Sequence, residues 1–245
     1  MVGNGNTPVE RPAGQSQAPE PSQDLIEVLE SAARLQTLVP DAVLVGGTAA
    51  ALHAGHRVSF DHDHVVADLQ QRFDLVLDAL EREGDWVTNR ATEGRIVLGE
   101  LGGIEAGVRQ LRRAHPLEVQ LVKLPSGNAV RVPTLEETLR IKAFLIVVRN
   151  RVRDYLDVAA LSDQLGLRAA AATLNEIDVF YEEMRQGDDA VASQLARQLA
   201  DPKPADSRVL RHLPTYKGLL PRWHRWDAVV GQCQDLVRCM IEGRE

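Results

Sequence analysis

The stretch from Val45 to Val66 constrains this chain most, because its local chemistry admits few backbones. The apolar run Ala42-Val43-Leu44-Val45 reads as a buried strand that enters Gly46-Gly47-Thr48 and then an apolar helix. Two glycines let the backbone approach a phosphate closely, and the first turn of the following helix offers unbonded N–H groups to it. Asp61 and Asp63 follow at a spacing of two. Alternate residues of a strand share a face, so both carboxylates point one way. Like charges held together repel unless a cation lies between them, and hard oxygens converging on a point suit Mg²⁺ carrying a nucleotide's phosphates. If the strand extends back to Ser59, its hydroxyl faces the same place.

The order of these parts, a strand, Gly-Gly-Thr, a short helix, Arg57-x-Ser59-x-Asp61-x-Asp63 and then Val65-Val66-Ala67, resembles the signature of the polymerase-β-like nucleotidyltransferase fold. Within that fold it is similar to the AbiEii/MenT-like toxin branch. The likeness covers residues 42–165 and includes a later element. Lys142-Ala143-Phe144-Leu145, then Arg149, then Arg153-Asp154-Tyr155-Leu156-Asp157-Val158 follows the branch's lysine and Arg-Asp-x-x-Asp-Leu motifs. The alanine stands one residue after the lysine, a departure that bears on packing rather than chemistry.

The resemblance implies an α/β, two-lobed nucleotidyltransferase fold with an N-terminal mixed sheet, flanking helices and a helical C-terminal lobe. It divides the chain into a tail over 1–22, a core lobe over 23–132 and a helical lobe over 133–245. Asp61 and Asp63 are expected to hold Mg²⁺, and Gly46, Gly47, Thr48, Arg57 and Ser59 to line the nucleoside triphosphate. Lys142 would neutralise charge on the transferring phosphates, and Asp157 would orient Lys142 or activate the acceptor hydroxyl. Both are expected to face a cleft between the lobes, so that their removal leaves the melting temperature nearly unchanged. The implied activity is that of a toxin of a toxin–antitoxin pair, which adds nucleotides to an RNA acceptor, the 3′ end of tRNA, and blocks translation. A cognate antitoxin is the implied protein partner, and phosphorylation of Ser59 the implied restraint. A phosphate there would add about −1.5 to −2 charge beside the triphosphate site.

Composition narrows the setting. At 245 residues the chain has room for one large or two small domains, with 44% hydrophobic and 26% charged residues. No apolar run approaches the roughly 20 residues that span a bilayer, and the N-terminal stretch lacks a signal peptide's pattern, so a cytoplasmic protein without a membrane partner is expected. Cys233 and Cys239 are too few for a disulfide framework and read as buried free thiols. A net charge of −7 argues against indiscriminate nucleic-acid binding and leaves room for a local patch. Arg140, Lys142, Arg149, Arg151 and Arg153 form a run without an acid, and Arg109, Arg112, Arg113 and His115 form a second group.

Elsewhere the Pro-, Gly- and Ser-rich residues 1–22 read as disordered. Helical periodicity spans 24–37 and about 69–84. Residues 86–132 read as β-rich, with best strands at 96–98 and 117–122 and a hairpin turn at Pro125-Ser126-Gly127-Asn128. Thr134 and Glu137 have capping-box spacing at the start of a helix. Beyond Gly166 the chain reads as helical. Trp223 and Trp226, set among basic residues, either anchor a C-terminal helix or stack on single-stranded nucleic acid. Glu118 is a candidate third carboxylate, and Asp154 a candidate companion to Asp157.

Two other classes stay open. His53, His56, His62 and His64 crowd the two aspartates as in a His/Asp metal hydrolase, although on a strand His62 and His64 face away from them. The second class is a nucleotide-binding or interaction protein that keeps the fold without turnover.

Overall fold

The computed structural model describes residues 21–182 and 189–243, so the tail assigned to 1–22 lies almost wholly outside the described residues. Helix α1, Gln23–Leu38, is capped by Ser22, whose hydroxyl accepts from the Leu25 N–H at 3.3 Å. Its Leu25, Val28, Leu29, Ala32, Ala33 and Leu35 recur every three to four residues and are buried. Pro40 closes it, and strand β1, Val43–Val45, runs directly into helix α2, Gly46–Ala54. Gly46 takes φ +76°, a conformation open to glycine, and Gly55 ends α2 in the left-handed region at φ 57°.

Strand β2, His62–Val66, alternates buried and half-buried residues. The periodicity over 69–84 yields a shorter helix α3, Phe73–Glu81. Its expected first turn is instead an irregular one, where Arg72 Nε donates to Asp68 at 2.7 Å and Arg72 also pairs with Asp41. Strands β3, Trp86–Thr92, β4, Ile96–Leu101, and β5, Ile104–Gln110, complete a sheet in the order β1-β2-β5-β4-β3. Only β2 and β5 are parallel, with Asp63 opposite Gly107 and Val65 opposite Arg109.

Strands β6, Val119–Lys123, and β7, Ala129–Pro133, form a separate hairpin about the expected turn. The 132/133 lobe boundary falls at the last residue of β7. Helix α4, Leu135–Arg149, starts with half a capping box: Thr134 accepts from the Glu137 N–H at 3.2 Å, while the Glu137 carboxylate turns to Arg113 and Arg140. Helix α5, Val152–Leu165, follows, with α6, Leu167–Asn175, α7, Ile177–Phe180, α8, Val191–Ala200, two 3₁₀ turns and α9, Trp226–Glu242.

Among the described residues three apolar clusters hold the elements together. One lies under the sheet, with Leu69, Phe73, Leu80, Trp86, Val97 and Val108. A second joins α1 to the hairpin through Leu25, Leu29, Val130 and Val132. The largest is the helical core, and Ala50 and Ala54 of α2 belong to it. The helix that follows the glycine pair is therefore packed between sheet and helical bundle, which fixes the glycine turn against both.

Candidate functional site

The glycine turn and β2 bring Asp61 and Asp63 to one place. Asp63 lies against two glycines: a Cβ on Gly46 would be 3.4 Å from its Oδ2, and one on Gly107 would be 2.9 Å from its Oδ1. Only a strand without a side chain at 107 leaves the carboxylate its room. Arg109, on the same face of β5, donates from Nε to Asp63 Oδ1 at 3.2 Å. Asp61 stands just before β2. Ser59 donates its hydroxyl proton to Asp61 Oδ1 at 2.9 Å, and the Thr48 hydroxyl donates to the Asp61 carbonyl. The N-cap residue of α2 is Val45, whose side chain makes no capping hydrogen bond, so among the described residues the N-terminus at Gly46-Gly47 has no side-chain cap.

Behind that turn lies a buried charge network centred on Asp157, which is fully buried. Arg57 donates from Nε to its Oδ1 at 2.8 Å and from Nη2 to its Oδ2 at 3.2 Å. Lys142 Nζ is 2.7 Å from Oδ2, and His56 Nε2 is 2.8 Å from Oδ1. Burial alone would raise the Asp157 pKa, but Arg57, then Lys142 and His56, hold its carboxyl well below the usual carboxylate range. Burial also lowers the His56 pKa against the pull of Asp157. With a neutral His56 the network carries two cations and one anion. Arg57 also touches the glycine turn: a Cβ on Gly47 would lie 2.6 Å from its Nη2 and 2.7 Å from Ser59 Oγ. The guanidinium thus joins the motif of the sheet to the helices α4 and α5.

Several expectations need correction. Lys142 and Asp157 are 2% and 0% exposed and do not face an open cleft. Asp157 pairs with Lys142, and its oxygens are taken by three partners. Arg57 is committed to Asp157, and the Thr48 hydroxyl to the backbone before β2, so neither side chain points at a free ligand surface. Ser59 is 1% exposed and bonded to Asp61. Glu118 lies just before β6 of the separate hairpin and pairs with Arg140, whereas the strand beside β2 carries Gly107 opposite Asp63. Asp154 is held by Arg149 through two bonds, at 2.7 and 2.6 Å.

The basic run is largely neutralised. Arg140 is buried with Glu137 and lies over the Phe180 ring, Arg149 is clamped by Asp154, and Arg151 faces Asp206 at 4.0 Å. Arg153 is exposed and does not pair with Asp157. Arg113 of the second group is buried on Glu137. Trp223 is buried in the helical core, and Trp226 packs edge-on against Tyr155, so both anchor the C-terminal helix. Cys233 is buried, its thiol pushed up to about 12, and Cys239 is half-buried.

The histidines do not join the aspartates. His62 and His64 turn to the opposite face of β2, where His62 meets Ser31 at 3.0 Å, and burial lowers both pKa values, that of His62 to about 4. His53 bonds the Pro133 carbonyl. Among the described residues no group of three or more His, Cys, Asp or Glu side chains is gathered as a metal cage, and His62 and His64 lie on the face of β2 away from Asp63, so they share no donor set with it. Asp61 and Asp63 fit a different donor set. Mg²⁺ is usually held by one or two carboxylates, with water and substrate phosphates completing its shell, and two half-buried carboxylates beside a glycine turn match that donor set.

A mixed sheet that carries paired carboxylates beside a glycine turn, backed by a helical bundle, is the nucleotidyltransferase fold, and this chain has it. In particular it is similar to MenT4, a nucleotidyltransferase toxin from Mycobacterium tuberculosis. The TM-score is 0.54 at 16% identity, over 89% of this chain and 84% of that one. By sequence it is 31% identical over 250 residues to the heme uptake protein MmpL11 of M. tuberculosis, covering 91% of this chain. It is 30% identical over 232 residues to the mycolic acid-containing lipids exporter MmpL11 of Mycolicibacterium smegmatis, covering 89% of this chain. The chain spans less than a quarter of the length of these relatives, 23% and 22%. No family model matches the chain.

Sequence reasoning missed β5 as a strand, and with it the roles of Gly107 and Arg109 beside Asp63. It also missed His56 as a partner of Asp157. The alternation Ile104, Ala106, Val108 was the available signal for β5.

Proposed function

We propose that the protein is a Mg²⁺-dependent nucleotidyltransferase that transfers a nucleotide from a nucleoside triphosphate to an RNA acceptor. The observation that carries this reading is the Asp61–Asp63 pair set against the Gly46-Gly47 turn, with the Arg57–Asp157–Lys142 network directly behind it. A bound divalent cation supplies charge neutralisation to the triphosphate. Asp61 and Asp63 would hold it, and Ser59 fixes the rotamer of Asp61 through its hydrogen bond. The backbone at Gly46 and Gly47 receives phosphate oxygens. Lys142 and Arg57 leave one positive charge in excess of Asp157, buried where charge on the phosphates has to be offset. Asp157 keeps both cations in place.

The fold shared with MenT4, a nucleotidyltransferase toxin, supports a toxin with an antitoxin partner; tRNA as the acceptor rests on the resemblance of the Arg57-x-Ser59-x-Asp61-x-Asp63 motif alone. Phosphorylation of Ser59 as the restraint requires the 57–61 segment to open, because the hydroxyl is buried. The transport functions in the names of the MmpL11 proteins belong to chains more than four times this span, and no described helix is long and apolar enough to cross a membrane. The test is incubation of the purified protein with each labelled nucleoside triphosphate, Mg²⁺ and total RNA. Label entering a tRNA-sized band supports the reading. Bound nucleotide without any transfer favours the binding protein that keeps the fold without turnover.

A further inference from the structure

Among the described residues Arg57, Lys142, Arg149 and Arg109 act on the carboxylate pair or the network behind it, and they are not held alike. Arg57 and Lys142 are fixed by Asp157, and Arg149 by Asp154, both fully buried carboxylates that cannot be left unpaired cheaply. Arg109 is different. Its partner is Asp63, its side chain is 45% exposed, and its contact is a single bond from Nε to Oδ1 at 3.2 Å. Among the described residues no other carboxylate pairs with it. The carboxylate it bonds is one of the two that would hold a divalent cation, so the guanidinium and the cation draw on the same negative charge.

We propose that Arg109 is a displaceable positioning residue: it competes with the divalent cation for Asp63, and once displaced it binds the triphosphate. This rests on the nucleotidyltransferase reading and adds to it a residue that links metal binding to nucleotide binding. The register supplies the geometry. Arg109 shares the face of β5 with Gly107, next to Asp63, and the outer part of its side chain is open to solvent, so the guanidinium can leave Asp63 outward. A half-exposed ion pair is a weak competitor, so its removal is worth up to about fivefold in metal affinity. Contact of a guanidinium with a phosphate is a stronger charge-assisted bond, worth about tenfold or more in nucleotide affinity.

The experiment uses Arg109→Met and Arg109→Gln, two variants so that a folding failure of one leaves the other, with Arg109→Lys as the rescue. Mn²⁺ binding to nucleotide-free protein is titrated by electron paramagnetic resonance, and binding of a non-hydrolysable triphosphate analogue is then measured at saturating Mn²⁺. The expected result is a pair of opposed shifts. Mn²⁺ binds up to about fivefold more tightly and the analogue about tenfold or more weakly in both variants, with Lys restoring part of each. Unchanged or weaker Mn²⁺ binding in the variants, unchanged analogue affinity, or a wild-type protein that binds no Mn²⁺ overturns the proposal. Opposed shifts without transfer to any RNA would sink the enzymatic reading and leave the exchange intact. Transfer without the opposed shifts would sink the exchange alone.

Discussion

Replacing Asp157 by asparagine tests the energetic centre of the molecule. The volume hardly changes, but the one anion facing Arg57, Lys142 and His56 becomes neutral. Arg57 and Lys142 are at most 5% exposed, so water cannot take over the lost charge. Removing one partner of a buried ion pair costs about 3–5 kcal/mol. At about 2–4 °C per kcal/mol for a domain of this size, the melting temperature should fall by about 6–20 °C. Lys142→Met costs less, about 1.5–3 kcal/mol, because Asp157 keeps Arg57 and His56. The double variant removes one charge of each sign and should be more stable than the sum of the single losses by about 1 kcal/mol or more. Urea unfolding of the three variants measures this cycle. An Asp157→Asn protein that melts within about 2 °C of wild type, or strictly additive losses, would refute the network as a coupled unit.

Other consequences follow from the same contacts. Gly47→Ala places a methyl against Arg57 Nη2 and Ser59 Oγ, and should cost about 1–3 kcal/mol by chemical denaturation while weakening triphosphate binding. Burial holds His62 at about 4 in the folded protein, against 6.5 for the free side chain, so the unfolded chain binds the proton first. The stability contributed by the neutral ring is then fully present above pH 6.5 and is lost as pH falls toward 4. Through this group alone, going from pH 7 to pH 5 should cost about 2 kcal/mol, and His62→Leu should flatten that slope in pH-dependent urea melts. Charge reversal at exposed Arg153 should lower the salt dependence of RNA binding with the fold intact, whereas reversal at Arg149 should destabilise the protein by unpairing buried Asp154. An unchanged salt slope would remove Arg153 from the RNA surface.

How much of this the sequence carried depends on distance along the chain. The glycine turn, α2 and the alternation of β2 are set by neighbouring residues, and Gly46 adopts the positive φ that its position calls for. Helix α1 was likewise legible from its periodicity and the start of α4 from its capping spacing. The partners of the charges were not. Arg57 and Asp157 are separated by 100 positions, and nothing in either segment announces the other. The run from Arg140 to Arg153 reads as a basic patch only while Glu118, Glu137, Asp154 and Asp206 are ignored, and the fold brings all four to it. Strand β5 was obscured by Glu105 and Gly107, residues that weaken a strand on propensity alone. Gly107 is there because Asp63 occupies the place its side chain would fill.

Whether Asp61 and Asp63 carry nucleotide transfer is decided by comparing wild type, Asp61→Asn and Asp63→Asn in a single-turnover assay with labelled nucleoside triphosphate, RNA and Mg²⁺. The three proteins are first matched by circular dichroism. Both carboxylates are half-buried at the glycine turn, and neither belongs to the buried network, so the folds should match. The wild type should transfer the label and each variant should lose about a hundredfold or more, the scale of removing one preorganised charge-stabilising group. Transfer at the wild-type rate by either folded variant would contradict that role.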